Sequence, residues 1–171
     1  MRKRNWLIAM GIVIVTFLIA GGVYASKENA SKEFKDVIKL ENKAFGKHTK
    51  GIVTFDHKKH AEEYAKKHPD LYKNGCGECH HDKDGKPLTK LKKGDEVQSC
   101  IACHKKPGYI KGKAARGLSK KEKREYLANA MHDNCRGCHR KFNKKMKLHS
   151  KDKGAAPTSC KQCHGGEDEK E

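Results

Sequence analysis

The sequence predicts short α-helices and loops wrapped around bound groups in place of an apolar core, with a small two-stranded β element near the N-terminus. Three observations carry that expectation. Cys-x-x-Cys-His occurs four times, at 76–80, 100–104, 135–139 and 160–164, and uses all eight cysteines. Apolar and charged residues each make up 35% of the 171, a poor supply for a conventional core in a chain of this size. Seven histidines remain beyond the four motifs.

Cys-x-x-Cys-His is the attachment signal of a c-type haem. Its two thiols become thioethers on the macrocycle, and the adjoining imidazole reaches the iron from one side. The cofactor-binding residues are then Cys76, Cys79, Cys100, Cys103, Cys135, Cys138, Cys160 and Cys163, with His80, His104, His139 and His164 as iron ligands. Zinc is the competing reading, because paired C-x-x-C also builds Cys₄ or mixed Cys/His sites. Nothing in zinc chemistry asks for a histidine after every second cysteine. With 11 histidines in 171 residues, four chance repeats have odds on the order of one in 10⁵. A disulfide framework gives the histidines no role at all. Four haems would supply the missing apolar surface, so the apoprotein is expected to be largely unfolded.

Residues 1–25 read as an export signal. Arg2, Lys3 and Arg4 form a positive n-region, residues 6–23 are uncharged and mostly apolar, and Val23-Tyr24-Ala25 offers a small-residue cleavage site. The apolar run is almost long enough to span a bilayer, so an uncleaved membrane tether competes with cleavage. Both outcomes put the remaining chain across the membrane, in the periplasm, where haem is attached. Net charge is +18, and cleavage would leave 18 − 3 = +15. That charge would suit nucleic acid, yet no reading module is present, and nucleic acid is excluded as a partner.

Residues 26–50 form a polar lead-in, and 51–166 the haem-bearing domain. Ile38-Lys39-Leu40 and Ile52-Val53-Thr54-Phe55 alternate well enough to be two short strands that pair. Asp56 to Lys67 reads as a helix with His57, His60, Ala61, Tyr64 and His68 on one stripe. Glu62 with Lys66 and Glu63 with Lys67 are expected as i,i+4 pairs, and Pro69 ends the helix. Asp82 to Pro87 is a turn. Between His104 and Cys135, a glycine-rich loop gives way to a capping box, Ser119-Lys120-Lys121-Glu122, opening a helix to about Met131. Arg140 to Lys161 carries eight basic residues and one acid, Asp152, and residues 167–171 form an acidic tail.

Four motif histidines give each iron one ligand, and four opposite ligands must come from His48, His57, His60, His68, His81, His132 and His149. A doubly imidazole-ligated iron has no open position, which favours electron transfer over ligand chemistry. Met131 and Met146 are read as packing residues, and His48 and His149 as solvent histidines.

Ile-Val-Thr-Phe-Asp-His-Lys-Lys-His (52–60), Cys-Gly-Glu-Cys-His-His (76–81), Ala-Met-His-Asp (130–133) and the four motifs in this order resemble class III cytochromes c. These are the small periplasmic tetrahaem cytochromes of sulfate-reducing bacteria and relatives, and the resemblance spans about residues 36 to 165. It implies a multihaem cytochrome c fold with four covalently attached c-type haems. It also implies the metal ligand pairs: His57 facing His80, His81 facing His104, His60 facing His139, and His132 facing His164. The chain departs from many members in having C-x₂-C-H at all four sites, and in the 15 residues between His60 and Cys76. That insertion brings in His68, an alternative to His60, which keeps the family spacing from His57. Implied partners are hydrogenases, formate dehydrogenases and membrane redox complexes, reached through the basic 140–161 stretch. No catalytic residue is expected. The alternative function, a multihaem reductase or a redox subunit of a membrane-bound complex, would call for an open iron.

Overall fold

The computed structural model describes residues 30–31, 33–43, 45 and 48–165. The expected export signal at 1–25, part of the 26–50 lead-in and the acidic tail at 167–171 lie outside the described residues. Among those described, no helix is long and apolar enough to cross a membrane.

Two short antiparallel pairs open the fold. Strand β1 (Ala30–Ser31) pairs with β4 (Val97–Gln98). Strand β2 (Val37–Lys39) pairs with β3 (Thr54–Asp56), in the register Ile38 opposite Phe55. The expected strands 38–40 and 52–55 are thus real, displaced by about one residue each way. Ile38 and Phe55 turn inward while Val37, Lys39 and Thr54 are exposed, the alternation that a half-covered ribbon requires. The β1–β4 pair was not foreseen, because two-residue strands leave no periodicity to read.

Strand β3 runs straight into a helix. Helical backbone begins at His57, passes through a π-helical stretch at Lys59–Tyr64, and ends in α1 (Ala65–Lys67). His68 leaves the helix at φ −132°, ψ 58°, ahead of Pro69. Lys67 pairs with Glu63 at 2.8 Å as expected, but Glu62 does not reach back to Lys66. It meets Lys93 at 2.6 Å instead, a partner 31 residues further on.

The turn after His81 is built on Asp82, whose carboxylate accepts from the backbone N–H groups of Asp84 and Lys86. Gly85 supplies the positive φ of 79°. The capping box at Ser119 forms as read, with both reciprocal bonds, and opens α2 (Lys120–Arg124). The helix does not continue to Met131. Tyr126 adopts an extended φ −80°, ψ 121°, because Lys106 takes the neighbouring backbone groups: its N–H donates to Glu125 and its carbonyl accepts from Leu127. A new helix, α3 (Leu127–Lys145), then runs 19 residues with the third motif inside it. A second capping box, Ser159 with Gln162, opens α4 (Cys160–His164).

Helix α3 holds the last motif through one face. The Asn143 amide exchanges two hydrogen bonds with the backbone of Ala156, at 2.9 and 2.7 Å. One turn earlier His139 Nδ1 donates to the Pro157 carbonyl, and Arg136 Nε donates to Thr158. Residues 136, 139 and 143 share a face at i, i+3 and i+7. Asn143 is buried, so its two bonds spare the side-chain amide the cost of going unpaired, about 1–3 kcal/mol.

The apolar interior is almost nil. Leu127 is the one buried hydrophobic side chain among the described residues, and none is below 2% exposure. Val37, Tyr109 and Met146 are exposed; Met146 is therefore not the packing residue the sequence suggests.

Candidate iron centres

A Cys-x-x-Cys-His segment must present two sulfurs and one imidazole to a single planar partner, and one helical turn does so. Residues i and i+3 lie side by side, and i+4 returns to the same face. The first motif folds as such a turn over Gly75–Glu78, with the His80 N–H donating to the Cys76 carbonyl at 3.0 Å. The second does the same over Cys100–Ala102, His104 to Cys100 at 2.9 Å. The third and fourth lie within α3 and α4. Gly77 is buried where the first turn packs against Leu88: a Cβ there would lie 3.0 Å from the Leu88 backbone, tight enough to push the two segments apart.

Each motif histidine faces one other histidine. Ring centroids are 6.2 Å apart for His57 and His80, 5.9 Å for His81 and His104, 6.1 Å for His60 and His139, and 6.1 Å for His132 and His164. Two imidazoles bound to one metal at about 2 Å each stand roughly 6 Å apart, once the nitrogen-to-centroid distance is added on both sides. All four pairs therefore suit a single ion held between two rings. His68 faces no motif histidine. Its ring meets Phe142 edge-on at 5.0 Å. His48 lies against Phe45 and is half-buried, unlike a free solvent histidine, while His149 is exposed.

The other ring nitrogen is spoken for in six of these eight residues. Nδ1 of His57, His60, His81, His104, His139 and His164 each lies within hydrogen-bond distance of a backbone carbonyl, those of Lys35, Asp56, Asp82, Arg124, Pro157 and Gly51 respectively. A backbone carbonyl can only accept, so Nδ1 carries the proton and Nε2 is left with its lone pair, the arrangement a metal ligand needs. His132 Nδ1 is buried and has no such partner. Burial lowers the pKa of His80, His132 and His139 and so favours the neutral ring that a metal accepts.

The sulfurs sit in surroundings that disfavour charge. Desolvation raises the thiols of Cys79, Cys100, Cys135, Cys138 and Cys163, that of Cys79 to about 12, although Cys79 and Cys100 keep solvent-exposed surface. Three or more His, Cys, Asp or Glu side chains converge nowhere among the described residues, so the ligand cluster that a zinc site requires is absent from them. The donor set fits a macrocycle that fills four positions of its own iron and asks the protein for two imidazoles.

The pairs interlock. His80 and His81 are consecutive yet belong to different pairs, and His57 and His60 share one helix while doing the same. Asn134, on α3 beside Cys135, donates to the Cys79 carbonyl at 3.3 Å. His164 reaches back 113 residues to the Gly51 carbonyl at 2.8 Å. The supporting residues that the sequence did not flag are Gly51, Asn134, Asn143 and Phe34, whose ring stacks on His57 at 4.4 Å; each acts on a segment 13 or more residues away.

The "Class III cytochrome C family" model matches residues 32–164. A curated relative, "Cytochrome c3" of Desulfuromonas acetoxidans, is 40% identical over 70 residues, 41% of this chain and 78% of the relative. No solved structure matches the chain. With the family match running from just after β1 to the last motif histidine, this chain belongs to the class III cytochrome c family, whose members carry electrons on covalently attached c-type haem.

Proposed function

We propose that the chain is a tetrahaem electron carrier of low potential, exported to the periplasm. It would exchange electrons with hydrogenases, formate dehydrogenases and membrane redox complexes. The observation that carries this reading is the set of four imidazole pairs with centroids 5.9 to 6.2 Å apart, each joining a motif histidine to a distant one. Haem iron bound between such rings supplies one-electron transfer.

The protein's own part is to saturate and hold the sites. Cys76 and Cys79, Cys100 and Cys103, Cys135 and Cys138, and Cys160 and Cys163 fix the four groups covalently. The ligand pairs are His57 with His80, His81 with His104, His60 with His139, and His132 with His164. Saturation on both sides excludes substrate from the metal, which supports a carrier and not an enzyme. Nδ1–H donation to backbone carbonyls makes the ligands more basic and stabilises the oxidised state, so it favours low potentials. The exposed basic run from Arg140 to Lys161 is the proposed docking face for an acidic partner.

Electron paramagnetic resonance of the fully oxidised protein tests the ligand reading. Crossed imidazole planes leave two iron d orbitals nearly degenerate, and near-parallel planes split them. The planes cross at 84° for His132/His164 and 72° for His81/His104, against 57° for His57/His80 and 33° for His60/His139. Four low-spin signals are expected, two of high anisotropy and one clearly more rhombic than the rest. A high-spin signal from any iron would contradict saturation on both sides.

A further inference from the structure

One imidazole of the eight is held in a way the others are not. The Phe34 ring lies face to face with His57, centroids 4.4 Å apart and planes within 24°. No other of the eight rings has a stacked aromatic partner among the described residues; His60 and His132 meet only tilted or edge-on rings. The next residue, Lys35, offers its carbonyl to His57 Nδ1 at 3.1 Å. Asp36 then binds Lys58, through its carbonyl to the Lys58 N–H at 3.0 Å and its carboxylate to the ammonium at 3.3 Å. Three consecutive residues thus grip the face and Nδ1 edge of one ring and the backbone beside it.

The grip is closed from outside. The Lys93 ammonium lies over the Phe34 ring at 4.5 Å, and the same ammonium is bound to Glu62 at 2.6 Å. Glu62 stands on the helix that carries His57. Phe34 is therefore tied to that helix by a cation that is itself tied to the helix. A cation over a partly desolvated aromatic face is attracted to the ring and so favours one ring placement.

An imidazole bound through Nε2 can still turn about its metal–nitrogen bond. A hydrogen bond at Nδ1 limits that rotation, and a flat ring against the face removes most of what is left. The geometry points to Phe34 as a positioning residue that fixes the plane of His57 at the first iron, with Lys93 and Glu62 holding Phe34 in place. This rests on the reading of His57 as an iron ligand. Phe34 touches no reacting atom; it acts through the ligand.

The experiment is the resonance spectrum of the oxidised holoprotein for a small set of variants. Phe34→Leu keeps the apolar bulk and loses the flat face. It should shift one of the four low-spin signals and the midpoint potential of one haem, leaving three signals in place. Phe34→Tyr should restore the native spectrum, and Lys93→Met should move the same signal in the same direction as Phe34→Leu. His57→Met serves as the control and should give one methionine-ligated iron. Four unchanged signals in Phe34→Leu, or a spectrum in Phe34→Tyr that resembles Phe34→Leu, would overturn the assignment of Phe34. Four unchanged signals in His57→Met would overturn the ligand reading beneath it.

Discussion

Made without haem attachment, the chain is expected to have no stable fold. One hydrophobic side chain, Leu127, and one amide, Asn143, are the only buried side chains among the described residues, with Gly77 the one other buried residue. Conformational entropy costs on the order of 1–2 kcal/mol per ordered residue, and a core of this size cannot offset it. The strands are two or three residues long, and α2 and α4 have five each, lengths at which an isolated helix does not persist in water. Cytoplasmic expression of residues 26–171, or replacement of all eight cysteines by serine, should yield a far-ultraviolet circular dichroism spectrum of disordered chain and collapsed amide dispersion. A cooperative thermal transition in either preparation would show that the polypeptide carries its own core.

A single methyl group at Gly51 should have the next largest effect. Its Cβ would collide with the carbonyl oxygen of His164 and stand 3.3 Å from the carbonyl carbon, both backbone atoms that cannot swing aside. The Gly51 carbonyl also accepts from His164 Nδ1, so any displacement that relieves the clash disturbs the ring of the fourth motif histidine. Overpacking of this kind costs about 1–3 kcal/mol. Gly51→Ala should lower the thermal stability of the holoprotein and alter the potential of one haem, as read by a melt followed at the haem absorbance and by a redox titration. Native values for both would remove Gly51 from the account.

What the sequence discloses and what it hides divide along range. The four motif turns were legible because the chemistry lies within five residues. The Ser119 capping box, the Asp82 turn and the helix ending before Pro69 are equally local. The pairing of 38–40 with 52–55 could be read because each segment alternates and they are consecutive strand candidates along the chain. The class III family itself was legible from the order and spacing of those motifs.

Longer-range partners decided the rest. The helix opened by Ser119 breaks at Tyr126 because Lys106, 20 residues earlier, captures its backbone groups. Helix α3 contains Asp133, Asn134 and Gly137, all weak helix formers, and it is held by its packing against residues 156–158 in place of its propensity. Glu62 takes Lys93 over the nearer Lys66, and the same Lys93 ammonium lies over Phe34. Ser159-Cys160-Lys161-Gln162 is an exception: its capping pattern is local yet was not foreseen, and it opens α4. Phe34 had no local signal whatever, since its partners lie 23 and 59 residues away.

The central claim is that four iron porphyrins are bonded to this polypeptide. A pyridine haemochrome assay on the purified protein, combined with the intact mass under denaturing conditions, tests it most directly. The account predicts four haems per chain, all retained on the denatured polypeptide, with no free thiol among the eight cysteines. A mass equal to that of the bare chain, or eight titratable thiols in a colourless sample, would contradict it.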